Sequence, residues 1–477
     1  MRLNSICILA FGAVLAACGG GGGTPVAGID RGGTPAPAAI VSKGTITGFG
    51  SIVVNGVRYE TGGAIFEVDG NPGTQADLRI GQVVVVRGTV ADDNSTATAT
   101  SVVFNDTVEG PISAIDKVAG TIGVLGQIVS IDADTSIDDS ISPPSIEGLA
   151  VADIVEVSGF FVADGSIRAT RIEAKPPGRE FEVTGIVSNA GAGTFQINDL
   201  VVDYSNATQI RNFPGGVPED GQLVEAKGNA NGGGLAASEV EFKGTDLPGG
   251  AADRAEVEGF ITDFTSASAF DVEGVPVTTS GSTTYVNGDA SGLALNRKLE
   301  VEGSIGTNGI LAATKIEFRQ LSNFIRVEGL VDARSGSQLT ILGIAIETNT
   351  LTRFEDKSSQ DDENFEINDI VVGNYLELRG YEEGPDSNPR RVIATIVERE
   401  DFDGEIALRG IVESVSDPQF SILGVTIQTA AGTQFRNANG QSIPAADFFS
   451  NAEGRLVEAK GSESNGGIAA TEVQFEN

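Results

Sequence analysis

Chemistry in this chain has to rest on carboxylates, lysines, tyrosines or hydroxyls. It contains no histidine and no tryptophan, and its two cysteines, Cys7 and Cys18, lie close to the N-terminus. Without imidazole there is no Ser-His-Asp triad and no histidine metal ligand, and past Cys18 there is no thiol nucleophile, disulfide or cysteine zinc site. Two acidic runs come first. One holds Asp132, Asp134, Asp138 and Asp139; the other holds Glu355, Asp356, Asp361, Asp362 and Glu363. Calcium needs several oxygen ligands from one rigid loop. Neither run has the spaced Asp, Gly and Glu of an EF-hand, so both are expected to be solvated surface loops. Carboxylate pairs come next: Glu256 with Glu258 and Glu300 with Glu302 sit two apart, hence on one face of a strand. A glycosidase sets such a pair in a cleft. Here pairs recur along the chain with no special copy, so they are expected to be wet surface charge. No catalytic residue, metal or cofactor is expected.

Cys18 is a different case. Arg2 followed by the 12-residue apolar run Ile6 to Ala17 has the form of a secretory signal over residues 1–17, too short for a bilayer core that needs about 20 residues. It ends Leu15-Ala16-Ala17-Cys18, which resembles the bacterial lipobox, where the chain is cut before the cysteine and the thiol is acylated. Cys18 is therefore the expected lipidation site, and Cys7 is expected to leave with the signal. Residues 18–40 open with Gly19 to Gly23 and continue TPVAGIDRGGTPAPAA. That composition buries no core and predicts a disordered tether. By resemblance to lipoproteins, Gly19 in place of Asp after the lipidated cysteine favours the outer membrane. The expected partner is thus the membrane, through the lipid anchor. The formal charge of −35 repels phosphate backbones, so nucleic acid is not an expected partner.

The elements that must position these groups recur six times. Each copy opens on a glycine inside an apolar strand: Gly44, Gly110, Gly185, Gly259, Gly329 and Gly410. About a dozen residues on, a two-residue turn separates two apolar runs, as in VVNGVRY (53–59), INDLVV (197–202) and ILGVTI (422–427). Such turns need positive φ and mark hairpins, read here as strands one and two. A short Thr-led strand follows, for example TQI (208–210) and TQF (433–435), with AIF (64–66) in the first copy. Then comes an alternating strand ending in glycine, such as GQVVVVRG (81–88), NRKLEVEG (296–303) and GRLVEAKG (454–461). Alternation with period two marks a half-buried strand. It turns Leu299 and Val301 inward and Glu300 and Glu302 outward. A last strand closes each copy, as in LAATKIEF (311–318).

These copies delimit repeats over 41–106, 107–176, 177–244, 252–320, 323–400 and 404–477. About five short strands, with a glycine placed to bend the first, fit a small OB-like barrel; an Ig-like sandwich needs more strands and length. The fold class is therefore all-β: six tandem five-stranded OB-like barrels after a signal peptide and tether. Aromatic slots near the third strand (Phe66, Tyr285, Phe354, Phe435) alternate with Ile137 and Ile210 in other copies. Apolar exchange of that kind points to core rather than to a ligand platform, as it does for Phe104, Phe242, Phe318 and Phe475. Linkers such as KPPGRE (175–180) and DFDG (401–404) are short, which restricts how neighbours orient. Six barrels in line would reach roughly 170 Å.

The G-x-[VI] openings, the G-x-x-V-x-V-x-G strand, the A-T-x-[IV]-E close and the lipobox together resemble the tandem-repeat bacterial lipoproteins of the "domain of unknown function 5666" type, over most of residues 41–477. The resemblance implies an envelope-associated β-repeat protein and brings no activity. The expected function is a non-catalytic envelope lipoprotein acting as spacer or display scaffold. The alternative is a multivalent binder of a saccharide, peptide or envelope protein partner through its barrel faces.

Overall fold

The computed structural model describes residues 38–90, 96–244, 247, 252–320, 325–383 and 391–476. Cys18, the signal segment and residues 18–37 of the expected tether lie outside the described residues. The first strand already begins at Ala38, so the β structure reaches into the segment assigned to the tether.

Repeat three shows the plan. Its strands are Phe181–Ser188, Thr194–Ile197, Leu200–Asp203, Leu223–Asn231 and Gly234–Phe242. The first pairs with the second and the second with the third. The third runs parallel to the fifth, the fifth pairs with the fourth, and the fourth returns to the first. That cycle closes a five-stranded barrel of OB type. The same cycle closes in the first repeat, and equally in the second, fourth, fifth and sixth. One detail of the strand assignment is corrected. The hairpin arms are strands two and three, and the short Thr-led strand (Gln209–Arg211 in repeat three) is an extra one lying parallel to the far half of strand five. In all six hairpins the first turn residue has φ between 45° and 54°, including Leu125, Leu342 and Leu423.

The two glycines of each repeat do different jobs. The opening glycine is required for space. A Cβ there would stand 2.2 Å from Asn55 Oδ1 at Gly44, 2.5 Å from Leu125 Cγ at Gly110, and 2.7 Å from Ile422 Cγ2 at Gly410. The hairpin folds back over the strand at that point, so close approach rather than a bend selects glycine. The closing glycine of strand four sits at a register shift against strand five in every copy. Its Cβ would lie 2.1 to 2.4 Å from a strand-five carbonyl oxygen. The bulge anticipated at this glycine is present.

A barrel of this kind leaves part of its first strand with one open edge, and the repeats pair there. Repeats two and three join antiparallel, Glu182 opposite Glu109 and Val183 opposite Val108. Repeats five and six do the same through Arg326 to Glu328 against Ala407 to Arg409. Repeat one instead pairs with repeat four, in parallel, Ile40 to Lys43 against Arg254 to Val257. Pairing satisfies backbone groups that would otherwise template aggregation. The three pairs then pack into one compact unit. Val83 N donates to Ser158 Oγ at 2.8 Å, Phe160 meets Phe260 edge-on at 6.4 Å, and Arg58 reaches Glu366 at 2.5 Å. An extended row is not what forms.

Candidate functional site

The two acidic loops, far apart in sequence, face each other beside repeat one. Asp138, Asp139, Glu355, Asp356, Asp361 and Asp362 line a cavity of about 550 Å³ together with Arg79 and Arg171. Asp139, Asp361, Asp362 and Glu363 are exposed, as expected of solvated loops, although Asp139 also meets Lys357. The expectation is corrected for the others, which find cations within their own repeat or where repeat two packs on repeat five. Arg168 holds Asp132, Arg171 reaches Glu355 at 3.1 Å, and Lys357 lies 3.4 Å from Asp139. Asp356 is buried, paired with Arg399 and bonded by Ser358 Oγ at 2.6 Å and the Asp362 amide at 2.8 Å. Burial alone would raise its carboxyl; Arg399, Ser358 and the amides outweigh burial and hold it at about 2. The buried Arg353 guanidinium donates to the carbonyls of Asp134 and Thr170 in the same interface. These loops join barrels.

The strand carboxylates are also corrected. Glu256 and Glu300 are 1% and 3% exposed. They do point out of their own barrel, but neighbouring structure covers that face. Glu256 accepts from Ser42 Oγ of repeat one at 2.6 Å and from Arg254 at 2.6 Å; Glu300 meets Arg319. Glu258 binds Lys298 at 2.9 Å and the Thr45 amide at 3.0 Å, and Glu302 binds Lys315 at 2.7 Å. Each carboxylate of the two pairs has a cationic partner within repeat four, and Glu256 and Glu258 also accept from repeat one, an arrangement that neutralises a covered face rather than one for general acid-base work.

Burial of so many acids fixes a pH dependence. Burial would raise Glu258 and Glu398, but Lys298 and Arg319, and Arg379 and Lys357, hold them at about 2. Glu400 is pushed up to about 7 by burial and by Glu377 and Glu398. The first two stabilise the fold fully above the ordinary value of 4.5, and that contribution is lost as pH falls towards 2. Glu400 holds its proton more tightly when folded, so its contribution declines as pH rises from 4.5 through about 7. Denaturation midpoints should therefore peak in mildly acid solution, and Glu400→Gln should flatten the decline above the peak. A wild-type midpoint that rises steadily from mildly acid to alkaline pH would contradict this.

The aromatic slots behave as core with one exception. Phe104, Phe318, Phe435, Phe475 and Ile137 are buried. Phe66, Tyr285, Phe354 and Phe242 are half-buried against the cores of their own barrels. Ile210 is exposed. Repeat six adds a helix, Ala445–Asn451, between its Thr-led strand and strand four, where four other copies have a single 3₁₀ turn. Its Phe448 packs 5.1 Å from Phe435 and 5.0 Å from Phe475; the Phe448-Phe449 pair was the signal for it. On the outer face of strand three, two residues past each turn glycine or its equivalent, the six copies carry Arg58, Ile128, Val201, Pro276, Ala345 and Thr426.

The family model of a domain of unknown function, DUF5666, matches residues 109–173, 184–241, 258–317, 328–396 and 409–474. The chain belongs to the DUF5666 family. The matched segments are repeats two to six. Repeat one, outside the match, closes the same barrel but carries an additional strand, Asn71–Gly73, on Ile65–Val68. No curated protein matches the chain. Among the described residues of this DUF5666 protein, carboxylate oxygens gather within 4.8 Å in three groups: Asp69 with Asp106 and Glu182, Asp106 with Glu109 and Glu156, and Glu377 with Glu398 and Glu400, the last beside Arg379 and Lys357. None of the three lies in the acidic loops that composition singles out. No repeated pattern marks them: the position three before the opening glycine is Val41, Thr107, Glu182, Glu256, Arg326 and Ala407 in the six copies.

Proposed function

We propose that this DUF5666 protein is a non-catalytic lipoprotein of the outer membrane, tethered through Cys18, whose six barrels form one display scaffold rather than an extended spacer. The observation that carries this reading is the division of barrel faces. The surface that every copy shares, the open edge of strand one, is consumed in joining barrel to barrel. The outer positions of strand three bear six different residues, Arg58, which meets Glu366 of repeat five, and Ile128, Val201, Pro276, Ala345 and Thr426, which present no repeated recognition chemistry. That weakens the multivalent alternative. One observation favours a single binding site instead: Phe161, Ile186, Leu223 and Phe242 line a cleft of about 550 Å³ between repeats two, three and four, with Asn198 and Asp271 as polar groups.

Two measurements test the reading. Cys18→Ser should move the protein from the membrane fraction to the soluble fraction; unchanged retention would remove the anchor from the account. A saccharide and peptide screen should return no ligand bound at several equivalent sites. One ligand bound once, and lost in Ile186→Glu, would transfer the function to the cleft.

A further inference from the structure

The densest gathering of acid lies where repeats one, two and three meet. Asp106 sits in the short link between the strands Thr96–Phe104 and Val108–Asp116. It is 2% exposed, and neither carboxylate oxygen has a hydrogen-bond partner. Its oxygens lie within 4.8 Å of oxygens from Asp69 and Glu182 in one group and from Glu109 and Glu156 in another. The Asp106 amide donates to Asp69 at 3.1 Å, which fixes these two acids together. The glutamates come from neighbouring strands in register, Glu156 opposite Glu109 and Glu109 opposite Glu182. Like charges so placed repel. The nearby cations are engaged one by one: Lys227 with Glu182 at 2.7 Å, Lys175 with Glu156 at 2.7 Å, and Arg179 with Glu109 at 3.6 Å. None pairs with Asp106. A dry, unpaired carboxylate is among the costliest groups a fold can hold.

The internal repeat supplies a second, independent observation. Three residues before its opening glycine, repeat five has Arg326, whose guanidinium reaches Glu377 at 2.6 Å, Glu328 at 2.9 Å and Glu458 at 3.4 Å. The same strand positions in repeats two and three hold Glu156, Glu109 and Glu225, but the arginine position is Thr107. The sister seam thus fills with a cationic side chain the place that repeat two leaves without one, while Asp106 adds a further negative charge beside it.

We propose that Asp106 with Asp69 and Glu182 binds one hard divalent cation of the calcium class, with the neighbouring Glu109 and Glu156 adding negative charge beside it, and so ties repeats one and three together where they meet repeat two. An all-carboxylate oxygen set suits calcium or magnesium and not a softer metal. Burial, followed by Glu182, Asp69, Glu156 and Glu109, pushes the Asp106 carboxyl well up. A proton is therefore the rival occupant, and the experiment separates the two.

The purified full chain is stripped with a chelator and titrated with calcium chloride, with magnesium chloride as a second arm, by calorimetry and thermal melting. The expected result is one equivalent of calcium bound with a raised melting midpoint. Asp106→Asn should weaken that binding by more than about a hundredfold, beyond the loss seen when an outer-shell partner is removed. Thr107→Arg, which restores the arginine of repeat five, should abolish the calcium response while the stripped variant melts no lower than the stripped parent. If Asp106→Asn fails to fold, Thr107→Arg decides the matter. Absence of binding by both ions, loose binding of several ions that survives in Asp106→Asn, or an undiminished calcium response in Thr107→Arg would each overturn the proposal.

Discussion

Gly461→Ala should destabilise repeat six by about 3 kcal/mol or more, the upper range of overpacking in a filled interior. The added Cβ would stand 2.1 Å from the carbonyl oxygen of Ala469 and 2.9 Å from its carbonyl carbon. Both belong to the backbone of strand five, which is pinned on one side by strand four and on the other by its parallel neighbours, so no rotamer change relieves the clash. The strands must separate at the bulge or the barrel must open. Gly410→Ala makes a useful contrast. Its Cβ would meet Ile422 Cγ2 at 2.7 Å, a side-chain methyl that can turn aside, so a loss of about 1–2 kcal/mol is expected. Gly432→Ala, with nothing within 4 Å and no positive φ, should stay within about 0.5 kcal/mol of the parent. Urea denaturation of the three variants, followed by the far-ultraviolet signal of strands, gives the order. If Gly461→Ala and Gly432→Ala melt alike, the account of the closing glycine is wrong.

That glycine illustrates what could be read along the chain and what could not. Period-two alternation placed Leu299 and Val301 inside, and both are fully buried. The same alternation placed Glu300 outside its barrel, correctly, yet called it wet, because alternation reports only on the sheet that contains it. Whether the outer face meets water or a second barrel depends on which copies associate, and sequence neighbours are the natural guess. A signal for association was nevertheless present. The residue before the opening glycine is Glu109, Glu258 and Glu328 in repeats two, four and five, but Lys43, Thr184 and Arg409 in repeats one, three and six. Each pair joins one member of each set. With two taken by three and five by six, repeat one is left with four. Part of the acidic loops is covered for the same reason: Arg171 of repeat two meets Glu355 of repeat five and Lys357 of repeat five meets Asp139 of repeat two, pairs that only the assembled barrels bring together.

The crossed partnership of repeats one and four gives the second large effect, which depends on where the chain is cut. A fragment of residues 107–244 should fold, because repeats two and three share one continuous apolar core and pair through their own first strands. A fragment of residues 325–476 should do so for the same reason. Extending the first fragment backwards to residue 38 should make it worse. Repeat one would then present Ile40 to Lys43 without their parallel partners Arg254 to Val257. Val41, which is buried in the repeat-four core, would be exposed, and Ser42 would lose Glu256. An open apolar edge of this sort recruits other chains, so the 38–244 fragment should elute as oligomers and be cut by protease within repeat one. Continuing it through repeat four, to residue 320, should restore a monomer and protect the same sites. The ordering is counter-intuitive, since the longer chain is sound, the intermediate one is not and the shorter one is again. Linear stacking of barrels predicts instead that each added repeat leaves solubility unchanged or improves it. A monomeric, protease-resistant 38–244 fragment would mean that the edge of repeat one closes without its distant partner.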